Sequence, residues 1–369
     1  MNKKLKILLS GGGTGGHIFP AIAIADEIRK RFPDAEFLFI GANGKMEMEK
    51  VPQAGYKIEG IDIAGINRGN MLSNLGLPFK IFKSLSKSKK IIRNFAPGFA
   101  VGTGGFASGP ALYEASKLGI PIFIQEQNAH AGVTNKILSK KAKAVFTAYP
   151  KVEGFPEDKI KFLGNPIRET IISGMQETAQ AKEKMGLDKD KLTILSVGGS
   201  LGSRTLNNAW KENLENLKEK GYQLIWQTGK LDYKEIIESC QLSVDENSNN
   251  QIQIKEFIKD MVTAYSAADV IVSRAGAIAI SELAVAQKPV VLIPFPFAAE
   301  DHQTKNAMTL VEKNAAKMVK DSEMQDKFWS TLSEICENES VRKEMSKNLL
   351  YFAKPNAAKE IVDEIFKKL

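Results

Sequence analysis

The chain has 369 residues, 43% hydrophobic and 25% charged, with 51 Lys and Arg against 43 Asp and Glu, a net charge of +8. That length exceeds one ordinary core and fits two domains of roughly 150–200 residues, while the composition excludes a disordered or fibrous chain. The basic excess fits an anionic partner without naming it, and no stretch approaches the ~20 apolar residues that span a bilayer. Cys240 and Cys336 fit no metal or redox spacing and read as reduced thiols. In chain order, the basic, apolar start superficially resembles a signal peptide. Its apolar run is short and ends in glycines, so residues 5–9 are expected as a buried first strand. A helix at 21–32 opened by Pro20, strands at 36–40, 121–125 and 144–147 and a helix ending at 115–118 complete the first half. Strands at 193–197, 222–227, 270–273 and 289–293 then alternate with helices at 205–219, 260–267, 278–286 and 303–314. Such alternation predicts two doubly wound α/β domains joined near Gly164-Asn165-Pro166, with an apolar helical face in the tail 357–369.

Ser10-Gly11-Gly12-Gly13-Thr14-Gly15-Gly16-His17 joins the first strand to the first helix. Glycines let backbone approach a ligand there, and free N–H groups at a helix start attract phosphate oxygens. Gly11, Gly13 and Gly16 satisfy the dinucleotide fingerprint, which requires an acidic residue about 20 positions on to hold the ribose. The second strand ends Phe39-Ile40-Gly41-Ala42-Asn43 without one, which disfavours a nicotinamide oxidoreductase. The P-loop pattern fails too, because His17 stands where a lysine is required. A plain tight turn is the remaining alternative for any one loop. Gly102-Thr103-Gly104-Gly105-Phe106 and Gly198-Gly199-Ser200-Leu201-Gly202-Ser203-Arg204 repeat the arrangement, so three anion-ready turns fit more than one phosphate group. Polar groups also gather at strand ends: Gln125-Glu126-Gln127-Asn128, Ser273-Arg274-Ala275-Gly276 leading to Glu282, and Glu300-Asp301-His302-Gln303, with Arg168 just after the join. Nucleic acid has little support, since the glycine loops lack interleaved surface aromatics.

Gly11 through His17, Glu126-Gln127-Asn128 continuing to Ala131-Gly132-Val133-Thr134-Asn135, Gly164-Asn165-Pro166-Ile167-Arg168, Gly198-Gly199-Ser200, Arg274-Ala275-Gly276 to Ser281-Glu282 and Asp301 through Ala307 form an ordered set over nearly the whole chain. This set resembles the MurG family, UDP-N-acetylglucosamine–N-acetylmuramyl-(pentapeptide) pyrophosphoryl-undecaprenol N-acetylglucosaminyltransferases, which convert lipid I to lipid II. The resemblance implies an α/β GT-B fold, two Rossmann-like doubly wound domains facing across a cleft. Residues 1–164 would form the acceptor- and membrane-facing domain, with the helix 357–369 a candidate to pack back on it, and 165–356 the UDP-sugar domain. It places Ser200 and Arg168 at the nucleotide, the Ile258 backbone at uracil and Glu282 at the ribose. Ala277, Ile278, Ala279, Ile280, Ser281 and Glu282 would lie near diphosphate and sugar, Gln303 and Asn128 at sugar hydroxyls, and Thr14, Gly15 and Gly16 at the donor–acceptor junction. Gly13, Gly104 and Gly105 are expected at the acceptor diphosphate. Expected partners are UDP-N-acetylglucosamine, lipid I, an anionic phospholipid surface and cell-wall synthesis proteins, with no nucleic acid, cofactor or metal, at the cytoplasmic face of the cell membrane as a peripheral protein. The sequence departs from many members at Phe106, where a tyrosine is common, and at Gln125, where a histidine is; both bear on acceptor contacts.

A sugar hydroxyl attacks well only if a base accepts its proton as the bond forms. Of the three histidines, His17 lies at the phosphate-facing turn and is the candidate base; the competing role is to bind diphosphate or cap the turn. His130 and His302 are expected to orient loops. Departing UDP needs donors already in place, for which Ser200, Arg168 and the helix starts after Gly199 and Gly276 are candidates. The strand-end candidates contain no Asp-x-Asp, so no divalent ion is expected, and a single displacement would invert the anomeric centre. Alternatives are another GT-B user of UDP-N-acetylglucosamine, such as a 2-epimerase or a glycolipid glycosyltransferase, and a non-catalytic nucleotide-sugar binder.

Residues 63–113 contain no acidic residue, yet carry Arg68, Lys80, Lys83, Lys87, Lys89, Lys90 and Arg93. Met71, Leu72, Leu75, Leu77, Phe79, Ile81, Phe82 and Leu85 are interleaved, with Pro78 opening an expected helix. Apolar anchors beside lysines suit an anionic leaflet, and a core helix with a solvated basic face is the alternative.

Overall fold

The computed structural model describes residues 4–63, 65, 77–199, 201–239 and 251–369; Arg68, Met71, Leu72, Leu75, Ser200 and Cys240 lie outside them. The chain divides into two units, Met1–Ile167 with Lys354–Leu369, and Arg168–Ala353. Among the described residues, the first unit holds β1 (Lys6–Gly11), β2 (Glu36–Ala42), β3 (Lys57–Ile61), β4 (Phe99–Gly104), β5 (Ile122–Glu126), β6 (Ala144–Thr147) and β7 (Ile160–Phe162). They form one parallel sheet in the order β3-β2-β1-β4-β5-β6-β7. The second unit repeats the plan with β8 (Thr193–Val197), β9 (Gln223–Gln227), β10 (Ile252–Lys255), β11 (Val270–Ser273), β12 (Val290–Leu292) and β13 (Lys317–Met318). Its parallel order is β10-β9-β8-β11-β12-β13. Central strands such as β4, buried along its whole length, read as continuous runs because helices cover both faces of a parallel sheet. Strand order reverses between β1 and β4 and again between β8 and β11, and ligands of doubly wound sheets bind beyond the strand ends at such switch points. All three glycine loops leave those strands.

The first helix differs from expectation in a way that bears on the site. It runs Gly15–Arg31, so Pro20 is internal and Gly15, Gly16 and His17 form its first turn. Thr14, with φ −145° and ψ 158°, is the cap, and the helix can start on glycines because the apolar face behind them, from Ile18 through Ile24 to Ile28, is fully buried. The last helix, Ala357–Lys368, belongs to the first unit. Ile361, Val362 and Ile365 join the core of Ile7, Leu9, Phe39 and Phe123. The Phe366 ring lies 4.8 Å from Phe32 and 5.9 Å from Phe99. In the second core Trp210 meets Phe328 edge-on at 5.1 Å, and the two buried indole N–H groups donate to Ser196 Oγ (2.7 Å) and Asn207 Oδ1 (3.0 Å).

Candidate functional site

The first two glycine loops are built against each other. Gly12 N–H donates to the Gly104 carbonyl at 3.2 Å. Gly105, at φ 86°, packs so closely that a Cβ there would fall 2.1 Å from the Gly12 oxygen, so only glycine fits. Behind them lies Glu47, fully buried at the start of the helix Glu47–Gln53. Its carboxylate accepts the Ala42 N–H at 3.0 Å and the Gly13 N–H at 2.9 Å. The spacing rule finds no acid at the end of β2 because this one arrives from the next helix and grips the loop rather than a ribose. The Gly13 N–H is therefore engaged. Among the described residues, the Gly15 and Gly16 amides, in the first helical turn, meet no acceptor, and they carry the positive end of a 17-residue helix.

His17, half-buried in the same turn, is held by the second loop and by β5. Its Nδ1 lies 2.9 Å from the Thr103 carbonyl and 2.7 Å from Gln127 Oε1, while its backbone carbonyl accepts from Thr103 Oγ1 at 2.7 Å. Beside it, buried Glu126 gathers the Asn128 N–H (3.1 Å), the Gly132 N–H (3.1 Å) and Asn135 Nδ2 (2.9 Å), shaping the loop 127–132 and tying it to the helix Val133–Ser139. Among the described residues, Asn135 Oδ1 is buried and meets no donor. Gln125 is fully buried and bonded to Asn165, so its contacts are internal. Phe106 is 44% exposed beside the first loop.

In the second unit, β8 leads into a loop closed against Gly229. A Cβ on Gly202, at φ 89°, would strike the Thr228 carbonyl at 2.1 Å. Gln227 braces this loop, donating to the Gly199 carbonyl at 3.0 Å and accepting the Ile258 N–H at 2.9 Å. Ile258 thus has its N–H engaged by the protein. Ser203 caps the helix Arg204–Glu219 and accepts from Arg274, whose guanidinium also pairs with Asp321. Arg168 and Glu282 come together as a bidentate pair at 3.0 and 3.1 Å, and the Tyr265 hydroxyl donates to Glu282 at 3.3 Å. Burial raises the Glu282 carboxyl, while Arg168 and Tyr265 pull it back. Arg168 is 57% exposed on its side chain and Glu282 7%, so the pair presents a solvent-facing cation over a sheltered carboxylate.

The helix Ala277–Ala286 begins at Gly276 without a side-chain cap. Among the described residues, the Ile278 and Ala279 amides meet no acceptor, whereas the Ile280 N–H returns to the Gly276 carbonyl (2.9 Å) and the Ser281 hydroxyl to the Ala277 carbonyl (3.0 Å). Gln303 Oε1 accepts the Phe295 N–H at 2.9 Å. Glu300 and Asp301, just before it, adopt positive φ of 57° and 52°, a strained corner for residues with a Cβ. Asn128 faces Glu126 as described. His302 Nδ1 lies 2.7 Å from the Ala299 carbonyl, and His130 Nε2 3.3 Å from Lys136 Nζ. Among the described residues no group of three His, Cys, Asp or Glu stands ready to hold a metal, and no helix is long and apolar enough to cross a membrane. Sequence spacing missed Glu47 as a member of the site because it acts through a fold-dependent contact, while Gln127 and Asn135 stood at motif positions without the contacts that give them a role.

The basic, apolar segment forms a helix over Leu77–Phe95. Ser84, Ser88, Ile91 and Ile92 are buried, while Phe79 and Phe82 are 73% and 72% exposed, with Lys80, Lys83, Lys87, Lys89 and Lys90 also outside. Lys83 pairs with Asp62 at 3.4 Å.

Comparison with known proteins extends these observations to the whole chain. The glycosyltransferase family 28 N-terminal domain matches residues 7–147, and the C-terminal domain of the same family matches residues 193–365. A UDP-N-acetylglucosamine–N-acetylmuramyl-(pentapeptide) pyrophosphoryl-undecaprenol N-acetylglucosamine transferase of Cytophaga hutchinsonii is 48% identical over 99% of this chain and 97% of its own length. The crystal structure of Acinetobacter baumannii MurG is similar at TM-score 0.81 and 34% identity, over 99% of this chain and all of that one. A UDP-N-acetylglucosamine 2-epimerase of Neisseria meningitidis, at TM-score 0.65 and 14% identity over 99% of this chain and 100% of that one, shares the fold alone. With both domains matched in order and near-complete relatives at this identity, the chain belongs to glycosyltransferase family 28, and within it to the MurG family of N-acetylglucosamine transferases.

Proposed function

We propose that this chain transfers N-acetylglucosamine from UDP-N-acetylglucosamine to the muramyl sugar of undecaprenyl-diphosphate-linked lipid I, giving lipid II for peptidoglycan. The observation that carries the reading is the 48% identity, end to end, with a relative named for that transfer. In the first unit, Thr14 and the free Gly15 and Gly16 amides would face the junction of donor and acceptor. Gly13, Gly104 and Gly105 would let the acceptor diphosphate approach the backbone of the two paired loops, Gly13 through shape, since its N–H is held by Glu47. His17 acts as the general base, accepting the proton of the acceptor hydroxyl as that oxygen attacks the anomeric carbon; the bond to UDP breaks and the centre inverts.

In the second unit, Arg168 and Ser200 would hold the nucleotide, Ile258 would meet uracil with its backbone and Glu282 the ribose hydroxyls. The helix start over Ala277 to Glu282 would receive the departing diphosphate, its free Ile278 and Ala279 amides supplying donors where charge develops. The amide of Gln303, with Asn128, would read the sugar hydroxyls. The exposed phenylalanines and lysines of the helix Leu77–Phe95 would seat the first unit on an anionic leaflet at the cytoplasmic face of the membrane, near its lipid-linked acceptor and other cell-wall synthesis proteins.

The 2-epimerase alternative acts on the nucleotide sugar without an acceptor. Following UDP release with and without a lipid I analogue separates the two: release that requires the analogue is expected, and release at an equal rate without it would overturn the transferase reading.

A further inference from the structure

Two oxygen acceptors converge on one ring nitrogen of His17, the Thr103 carbonyl at 2.9 Å and Gln127 Oε1 at 2.7 Å. A nitrogen facing two acceptors must carry the proton, so the neutral ring here has Nδ1–H and an unprotonated Nε2. The assignment depends on which way the Gln127 amide points, and its surroundings fix that. Gln127 Nε2 donates to the Thr103 carbonyl (2.8 Å) and the Gln125 carbonyl (3.1 Å) and also reaches Gln125 Oε1. Turned over, its oxygen would face three oxygens. Gln125 is oriented in the same manner, since its Nε2 donates to Asn165 Oδ1 at 2.7 Å, and Asn165 Nδ2 returns to the Gln127 carbonyl at 3.2 Å. Asn165, Gln125 and Gln127 are each at most 1% exposed, so water does not compete with these bonds.

We propose that Gln127 is a positioning residue: its carboxamide, oriented by Gln125 and Asn165, locks His17 as the Nδ1–H tautomer and thereby keeps Nε2 as the proton acceptor. This rests on the reading of His17 as general base. The relay is neutral throughout, whereas a carboxylate beside Nδ1–H would favour the imidazolium. Two carboxylates of the adjoining loops, Glu47 and Glu126, are each taken up by N–H donors around them. Gln125 therefore does more than fill a buried position: it gives the relay its direction.

The test compares the pH profile of kcat/KM in the wild type, Gln127→Glu and His17→Ala, together with 15N NMR of histidine-labelled wild-type protein. Three histidines keep the spectrum simple, and His17→Ala identifies its signals. Expected are the Nδ1–H tautomer for the neutral form of the His17 ring and, in Gln127→Glu, an acid limb moved upward by about one pH unit or more with the KM for UDP-N-acetylglucosamine unchanged. A neutral Nε2–H ring, or an acid limb of Gln127→Glu superimposed on that of the wild type while His17→Ala is inactive, would overturn the relay alone. Near-normal turnover of His17→Ala would instead overturn the base assignment on which the relay depends.

Discussion

Glu282 is 5% exposed, and burial holds its carboxyl above the ordinary 4.5 despite the bidentate Arg168 guanidinium. A carboxyl raised in this way binds its proton more readily folded than unfolded. Its contribution to stability is then fully present below the unfolded value and is lost as pH rises through the folded one. Glu282→Gln removes the titration while keeping the shape. Denaturant unfolding from about pH 4 to 7 should show the stability of the wild type relative to Glu282→Gln falling as pH rises above the ordinary carboxylate range; a difference that is flat or rises with pH would contradict this. The residue pair was legible in part. Arg168 and Glu282 stand at motif positions, so both could be named, but their 114-residue separation hid the bond between them. Glu47 was invisible for a related reason: the fingerprint looks for an acid at the end of β2, and this one lies beyond a turn, bonded back to the backbone of Gly13 and Ala42.

At the scale of elements, the helix Leu77–Phe95 carries the clearest separation of roles along its surface. A narrow inner face of Ser84, Ser88, Ile91 and Ile92 suffices to seat it, which frees Phe79 and Phe82 to stand outside among lysines. Each basic residue near an anionic surface adds about 1 kcal/mol, so Lys80→Glu, Lys83→Glu and Lys87→Glu together should weaken binding to phosphatidylserine vesicles by about 100-fold or more, as read by sedimentation. Binding unchanged in the triple variant would leave a solvated basic face on a core helix. The pattern of this helix could be read directly, because apolar and basic residues alternate in helical register without any acid. Strands β3, β10 and β13 could not: Lys57–Ile61 and Ile252–Lys255 mix charged and polar residues into edge positions, and Lys317–Met318 is two residues long. The first helix was read five or six residues short because Pro20 looks like a first-turn residue, whereas the glycine turn before it is itself helical.

Over the whole molecule, one plan appears twice: a parallel sheet whose order reverses beside a glycine-opened helix. Repetition of strand, glycine loop and helix made both domains recognisable from sequence, since each local pattern agreed with the doubly wound whole. The route of the last helix depends on tertiary packing, as its apolar stripe of Ile361, Val362 and Ile365 finds the first core rather than the second. Donor chemistry is proposed for the second unit and base chemistry for the first, so the central claim concerns the intact chain. Its most direct test is the incorporation of labelled N-acetylglucosamine from UDP into a lipid I analogue, with EDTA present, by wild type and His17→Ala. A lipid II product is expected from the wild type, with a loss of about 10²–10⁴-fold in His17→Ala. No labelled product from the wild type, or the same rate from both proteins, would contradict it.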